Sequence, residues 1–179
     1  MNYQDVLDFW FHELESKQWW VKNPELDQQI LKRFKKHWDA AVVGELFVWR
    51  DNPKGRLAEI LVLDQFSRNM FRDTPQSFAQ DPLALILSQE AIKCGADESF
   101  NSSEKAFLYM PYMHSESRLI HAEALKLYDQ PGLEFNLEFE IKHKVIIDRF
   151  GRYPHRNSIL GRASSEEEIA FLKEPNSSF

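Results

Sequence analysis

The sequence predicts an all-α fold, a single domain of seven to nine helices joined by short turns, on three observations. Apolar residues recur at three- and four-residue spacing along most of the chain. No period-two alternation longer than about four residues competes with that pattern. Asn-Pro and Asp-Pro starts, glycine stops and capping pairs punctuate the segments where helices should begin and end.

Val6, Leu7, Phe9, Trp10 and Leu14 form a first amphipathic helix over residues 3–13, with Asp5 near its positive end. Asn23-Pro24 supplies an N-cap and a proline at the first helical position. Leu26, Ile30, Phe34, Trp38 and Ala41 then make one stripe opposite Lys32, Lys35, Lys36 and Asp39. Gly44 either ends this helix or is crossed by it, and Asp51 to Gly55 is a loop. Leu57, Ile60, Leu61 and Leu63 have the density of a buried central helix leading into Asp64. Asp81-Pro82 opens a helix that Gly95 closes. Asn101 with Glu104 is a capping pair for a helix that Pro111 should break or kink. A further helix spans Ser115 to Tyr128, with His114, Arg118, His121 and Leu125 along one side. The next runs from about Glu134 to Phe150 with Gly151 as its stop, and its stripe of Phe139, His143, Ile146 and Phe150 aims His143 inward. Ser165 and Glu168 form a capping box for a last short helix through Leu172. Residues 174–179 are expected to be a loose tail.

At 179 residues the whole chain, 1–179, fits one domain with a sizeable core, and 14 Phe and 5 Trp make that core aromatic. A net charge of −6 argues against sequence-independent attraction to nucleic acid phosphates. Cys94, the single cysteine, excludes an intrachain disulfide and a thiolate zinc cluster, and fits a reducing cytoplasm. The acidic opening is unlike a signal peptide, and no apolar run approaches the ~20 residues that cross a bilayer.

Against this acidic background, residues 149–162 hold four arginines and one histidine. Guanidinium groups bind carboxylate or phosphate through paired hydrogen bonds, which points to an anionic ligand. Asp64 to Asn69 has a similar texture, and Asp64 and Arg68 lie four apart, at ion-pair spacing on a helix. His114 and Glu116 form a third polar cluster beside a helix break.

The runs Leu63-Asp64-Gln65-Phe66-Ser67-Arg68-Asn69, Pro111-Tyr112-Met113-His114-Ser115-Glu116 and Arg149-Phe150-Gly151-Arg152-Tyr153-Pro154-His155-Arg156-Asn157 together resemble the bacterial domain-of-unknown-function family 924. The likeness extends over nearly the whole chain. It implies an all-helical domain of antiparallel helix pairs in a tetratricopeptide-like array, with no established activity. The sequence departs from that family at Ser67, where proline is usual, and at His121, where glutamine is usual. The tetratricopeptide repeat consensus itself is not visible, so the array rests on the resemblance alone.

The residues assemble two expectations of different class. In the first, a binding or interaction domain holds an anionic small molecule or acidic peptide with Asp64, Arg68, Asn69, Arg152, Arg156 and Asn157. In the second, a small metabolite enzyme uses His114 or His155 as general acid/base, oriented by Glu116 or Asp64, with arginines anchoring substrate charge. The competing structural reading pairs Arg68, Arg152 and Arg156 with Asp64, Glu116 and Asp148 to tie helices together. A metal is not expected, because the offset of two between His114 and Glu116 points their side chains apart on a helix. No cofactor, nucleic acid or membrane partner is expected, and oligomeric state is left open. His143 reads as a core histidine, and Trp19, Trp20 and Trp49 as packing anchors rather than a base-stacking platform.

Overall fold

A computed structural model describes residues 1–175, 177 and 178; Asn176 and Phe179 fall outside the description, and with them part of the expected loose tail. Within the tail, Ser177 is 8% exposed and donates its hydroxyl to the Leu172 carbonyl. The described residues are helix and turn with no strand. The helices are α1 Tyr3–Asp8, α2 Pro24–Val42, α3 Pro53–Leu61, α4 Asp81–Lys93, α5 Ser102–Met113, α6 Arg118–Tyr128, α7 Glu134–Phe150 and α8 Glu166–Phe171. The single helical domain divides into two compact units, Met1–Arg72 with Gln76–Pro111, and Asp73–Pro75 with Tyr112–Phe179.

Local chemistry sets most of the boundaries. Asn23 accepts from the backbone N–H groups of Glu25 and Leu26 ahead of Pro24, so the start of α2 is capped as expected. The helix ends at Val42, short of Gly44. Asn101 and Glu104 exchange backbone and side-chain bonds at the start of α5. Pro111 does not stop α5 outright: the helix reaches Met113, two residues past the proline, before turning. Helix α6 begins at Arg118 instead of Ser115, because residues 114–117 form the turn that carries the second polar motif. Helix α7 spans Glu134–Phe150 and stops at Gly151, whose φ of 70° suits the left-handed cap that a side chain would strain.

In the first unit, α1 continues into a π-helical turn at Phe9–Glu13, and α3 into another at Val62–Phe66 before a last helical turn, Ser67–Met70. Such turns insert a residue and rotate the next side chains about the helix axis. Phe66 consequently lies in the aromatic core, with ring centroids 4.9 Å from Phe34 and 5.6 Å from Trp10. Trp19 donates its indole N–H to the Trp10 carbonyl and packs edge-on against Phe107 at 5.0 Å. The loop before α3 packs so closely that a Cβ on Gly55 would fall 2.1 Å from the Trp49 carbonyl oxygen, so no larger residue fits there.

In the second unit, α6 and α7 pack against each other. Ile146, Ile147, Tyr153 and Phe171 form its core, with Phe150 at the edge. No helix of the described residues is long and apolar enough to cross a membrane.

Candidate functional site

The expected site residues fall in both units, and each cluster is described within its own. In the first, the π turn buries Asp64 to 1% exposure. Its carboxylate accepts from Gln65 at 2.5 Å and from Arg68 at 3.2 Å, the expected four-apart pair. Arg68 also grips Asp81 with two bonds, at 2.8 and 2.9 Å. Asn69 donates to Asp27, which takes a two-pronged grip from Arg72 as well. One guanidinium between two carboxylates, and one carboxylate between an amide and a guanidinium, brace the end of α3 against α2 and α4.

In the second unit, the chemistry centres on the turn that comes after α5. A helix leaves its last carbonyls without intrahelical partners. Here three consecutive carbonyls each receive a side-chain donor: Met113 from the Tyr153 hydroxyl at 2.5 Å, His114 from Arg156 Nη2 at 3.1 Å, and Ser115 from His121 Nε2 at 2.8 Å. Glu116 completes the turn. Its carboxylate accepts the Tyr153 N–H at 2.8 Å and a two-pronged grip from Arg162 at 2.6 and 2.9 Å. Although burial opposes ionisation, these bonds and the charges of Arg162 and Arg156 hold Glu116 below the usual carboxylate range.

The segment after α7 is fixed with equal thoroughness. Arg152 grips Glu168 at 2.6 and 2.8 Å and donates to the Ala163 carbonyl. Glu168, led by Arg152, is held down to about 2. Asn157, fully buried, accepts from Arg162 and donates to Ser164. The short 3₁₀ turn Pro154–Arg156 is suspended between these bonds, with the Arg156 guanidinium over the Tyr153 ring at 4.6 Å.

Around Tyr153, which is fully buried, stand three of the chain's six histidines. The Tyr153 ring lies 6.2 Å from His121, 5.7 Å from His143 and 5.5 Å from His155. His114 belongs to the same electrostatic neighbourhood: burial, with smaller electrostatic contributions from the side chains of His114, His121 and His155, pushes His143 down to about 3. His143 is thus the neutral core histidine expected, with its Nδ1 against the Phe139 carbonyl. His121 and Glu140 form a fully buried pair, Nδ1 to Oε1 at 2.6 Å.

The structure therefore reassigns the ion pairs anticipated from the sequence. Arg152 takes Glu168 and not Glu116, Glu116 takes Arg162, and Asp148 pairs with Lys144. Glu168 is expected only as a helix cap, and Glu140 is absent from the expected site residues. Glu140 has a legible signal all the same: it shares the inward face of α7 with His143 and Ile147, at offsets of three and seven, where an acid demands a partner. The partner, His121, lies on another helix, which no local spacing reveals. Among the described residues no group of three His, Cys, Asp or Glu side chains is arranged to hold a metal.

The class is that of an all-helical domain, and in this chain one turn is pinned through successive carbonyls. The family described as bacterial protein of unknown function, DUF924, matches residues 6–176, and the chain belongs to it. A solved structure of a protein of unknown function from Agrobacterium tumefaciens is similar to it over 96% of both chains, with 36% identity and a TM-score of 0.91. No curated protein matches the chain.

Proposed function

We propose that this chain is a binding domain for an anionic small molecule or the acidic end of a peptide, received in the second unit by His114, His155 and Arg156. The observation that carries this reading is the pinning of the turn. Three successive carbonyls and the Glu116 carboxylate are all committed to side-chain or backbone donors, so the His114 side chain leaves a backbone with little freedom. The arginine-rich segment that carries His155 and Arg156 is tied down by Arg152–Glu168 and Arg162–Glu116. Sites that bind selectively are built this way, with partly buried polar groups held by an outer set of hydrogen bonds. Both histidines are partly buried, and each is a residue type that changes charge near neutral pH. Under this reading Arg152, Glu116 and Asn157 are supports.

Addition of inorganic phosphate, and separately of a short Asp/Glu-rich peptide, should move the ring resonances of His114 and His155 and raise the melting temperature. At about one hundred times the dissociation constant the stabilisation is about 2.7 kcal/mol. His155→Ala should weaken binding at least about tenfold while the unliganded protein melts nearly as before. If neither probe perturbs either ring, the reading is wrong.

A further inference from the structure

The buried pair of Glu140 and His121 does more than fill space, because its hydrogen-bond directions are determined by its neighbours. The Ser115 carbonyl can only accept, so the His121 Nε2 that faces it at 2.8 Å carries a hydrogen. The Met113 carbonyl likewise can only accept, so the Tyr153 hydroxyl points its hydrogen there and not at His121 Nε2, 3.2 Å away. One proton then remains to bridge His121 Nδ1 and Glu140 Oε1. The other Glu140 oxygen is buried without a hydrogen-bond partner among the described residues, a poor setting for a carboxylate and a tolerable one for the carbonyl of a carboxylic acid.

We propose that this shared proton is a latch on the ligand site: while Glu140 donates it to His121 the turn at 113–115 is pinned, and its loss as pH rises releases that turn. The proton balance is explicit. When the Glu140 O–H is lost to solvent hydroxide as water, carboxylate and imidazole lone pairs face each other at 2.6 Å. The imidazole relieves this by changing tautomer, placing its hydrogen on Nδ1 toward the carboxylate. Nε2 is then an acceptor, so it releases the Ser115 carbonyl and draws the Tyr153 hydroxyl away from the Met113 carbonyl. One proton thus removes two of the three donors that hold the turn carrying His114.

Burial raises Glu140 above the usual carboxylate range, with His121 and Lys144 opposing the rise. The groups nearest the pair are Lys144 and His143 on α7 and the Tyr153 hydroxyl on the segment after α7, and beyond them His114 on the turn and His155 act on His143. A carboxyl with a raised folded value is most stabilising below its unfolded value, and the contribution is lost as pH rises through the folded value. The latch therefore opens in the alkaline direction.

Control of binding by the latch rests on the proposed function, but the test of the latch does not need a ligand. Nitrogen resonances of His121, tracked from about pH 5 to about pH 10, report the tautomer directly. Nε2 should be protonated at the acid end and unprotonated at the alkaline end, and the Ser115 and Glu116 amides should lose protection from exchange about tenfold or more over the same range. Glu140→Gln places a permanent N–H donor against Nδ1 and should keep Nε2 protonated and the turn protected throughout. Tyr153→Phe removes the hydroxyl that the deprotonated form recruits and should move the transition to higher pH. The latch is overturned if Nε2 stays protonated in the wild type until the protein unfolds, or if Glu140→Gln titrates like the wild type. A tautomer exchange that proceeds normally in a protein indifferent to phosphate and acidic peptide would sink the binding reading and leave the latch standing.

Discussion

The two polar regions resemble each other in sequence, each an aromatic residue followed by an arginine and an asparagine, but they differ in what backbone their bonds hold. At Asp64 to Asn69 the charged side chains pair with one another, Arg68 between Asp64 and Asp81 and Asp27 with Asn69 and Arg72, and the backbone bonds of Ser67 and Arg68 go to carbonyls one turn back in the same helical stretch. At Arg152 to Arg162 two guanidinium–carboxylate pairs, Arg152–Glu168 and Arg162–Glu116, stand beside donors spent on loop backbone, with Tyr153 and Arg156 donating to the carbonyls of the 113–114 turn and Glu116 accepting a backbone N–H. A charge bonded to another side chain braces elements that are already regular. A donor spent on a carbonyl past the end of a helix fixes backbone that no secondary structure holds. The second arrangement can position a ligand site, and the first supports a core.

This contrast predicts a ranking of effects. The largest is Tyr153→Ala, which opens a cavity where a fully buried ring stood and should cost about 3–5 kcal/mol in denaturant unfolding. Tyr153→Phe isolates the turn from the cavity and should cost about 1–3 kcal/mol, because the Met113 carbonyl is left buried without its donor. Equal losses in the two variants would mean that the hydroxyl, and not the packing, carries the stability.

Glu116→Gln comes next, at about 1–3 kcal/mol, since it removes the charge that Arg162 grips while keeping the shape. Asp81→Asn in the first region should cost less, about 1 kcal/mol, because Asp64 still faces Arg68. Should Asp81→Asn prove the costlier of the two, the distinction between brace and turn-setter fails. Arg149→Ala, whose partner Glu167 is exposed, should change stability by about 0.5 kcal/mol or less.

Acid titration separates the contributions in another way. Unfolded His143 takes up a proton near its ordinary value of 6.5, whereas the folded group does so only near about 3. The unfolded state therefore binds more protons in between, and stability falls as pH drops below about 6.5. His37 in the first region, buried with neither ring nitrogen hydrogen-bonded among the described residues and pushed down by burial, works in the same direction. Glu116 and Glu168 are both held below their ordinary value of 4.5, so their share is present above that value and is lost as pH falls beneath it. Melting temperatures across the acid range should show both steps, and His143→Gln should diminish the upper step while leaving the lower one.

What the sequence determined by itself is local. The start of α2 at Asn23 and Pro24, the capping pairs at Asn101 and Ser165, and the stop of α7 at Gly151 all stand where residue chemistry within a turn or two placed them. The Asp64–Arg68 pair belongs to the same class, being four apart on one helix. Tertiary structure decided the rest. Arg152 finds Glu168 at a separation of 16 residues, Arg162 finds Glu116 at 46, and Tyr153 reaches the Met113 carbonyl at 40. Several acids of equal chemistry compete for each arginine, and only the packing of whole helices determines which comes within bonding distance. The π turn at Val62–Phe66 and the burial of Glu140 beside His121 obey the same logic. Each is locally costly, and each is stable only because groups distant in the chain meet it from the other side.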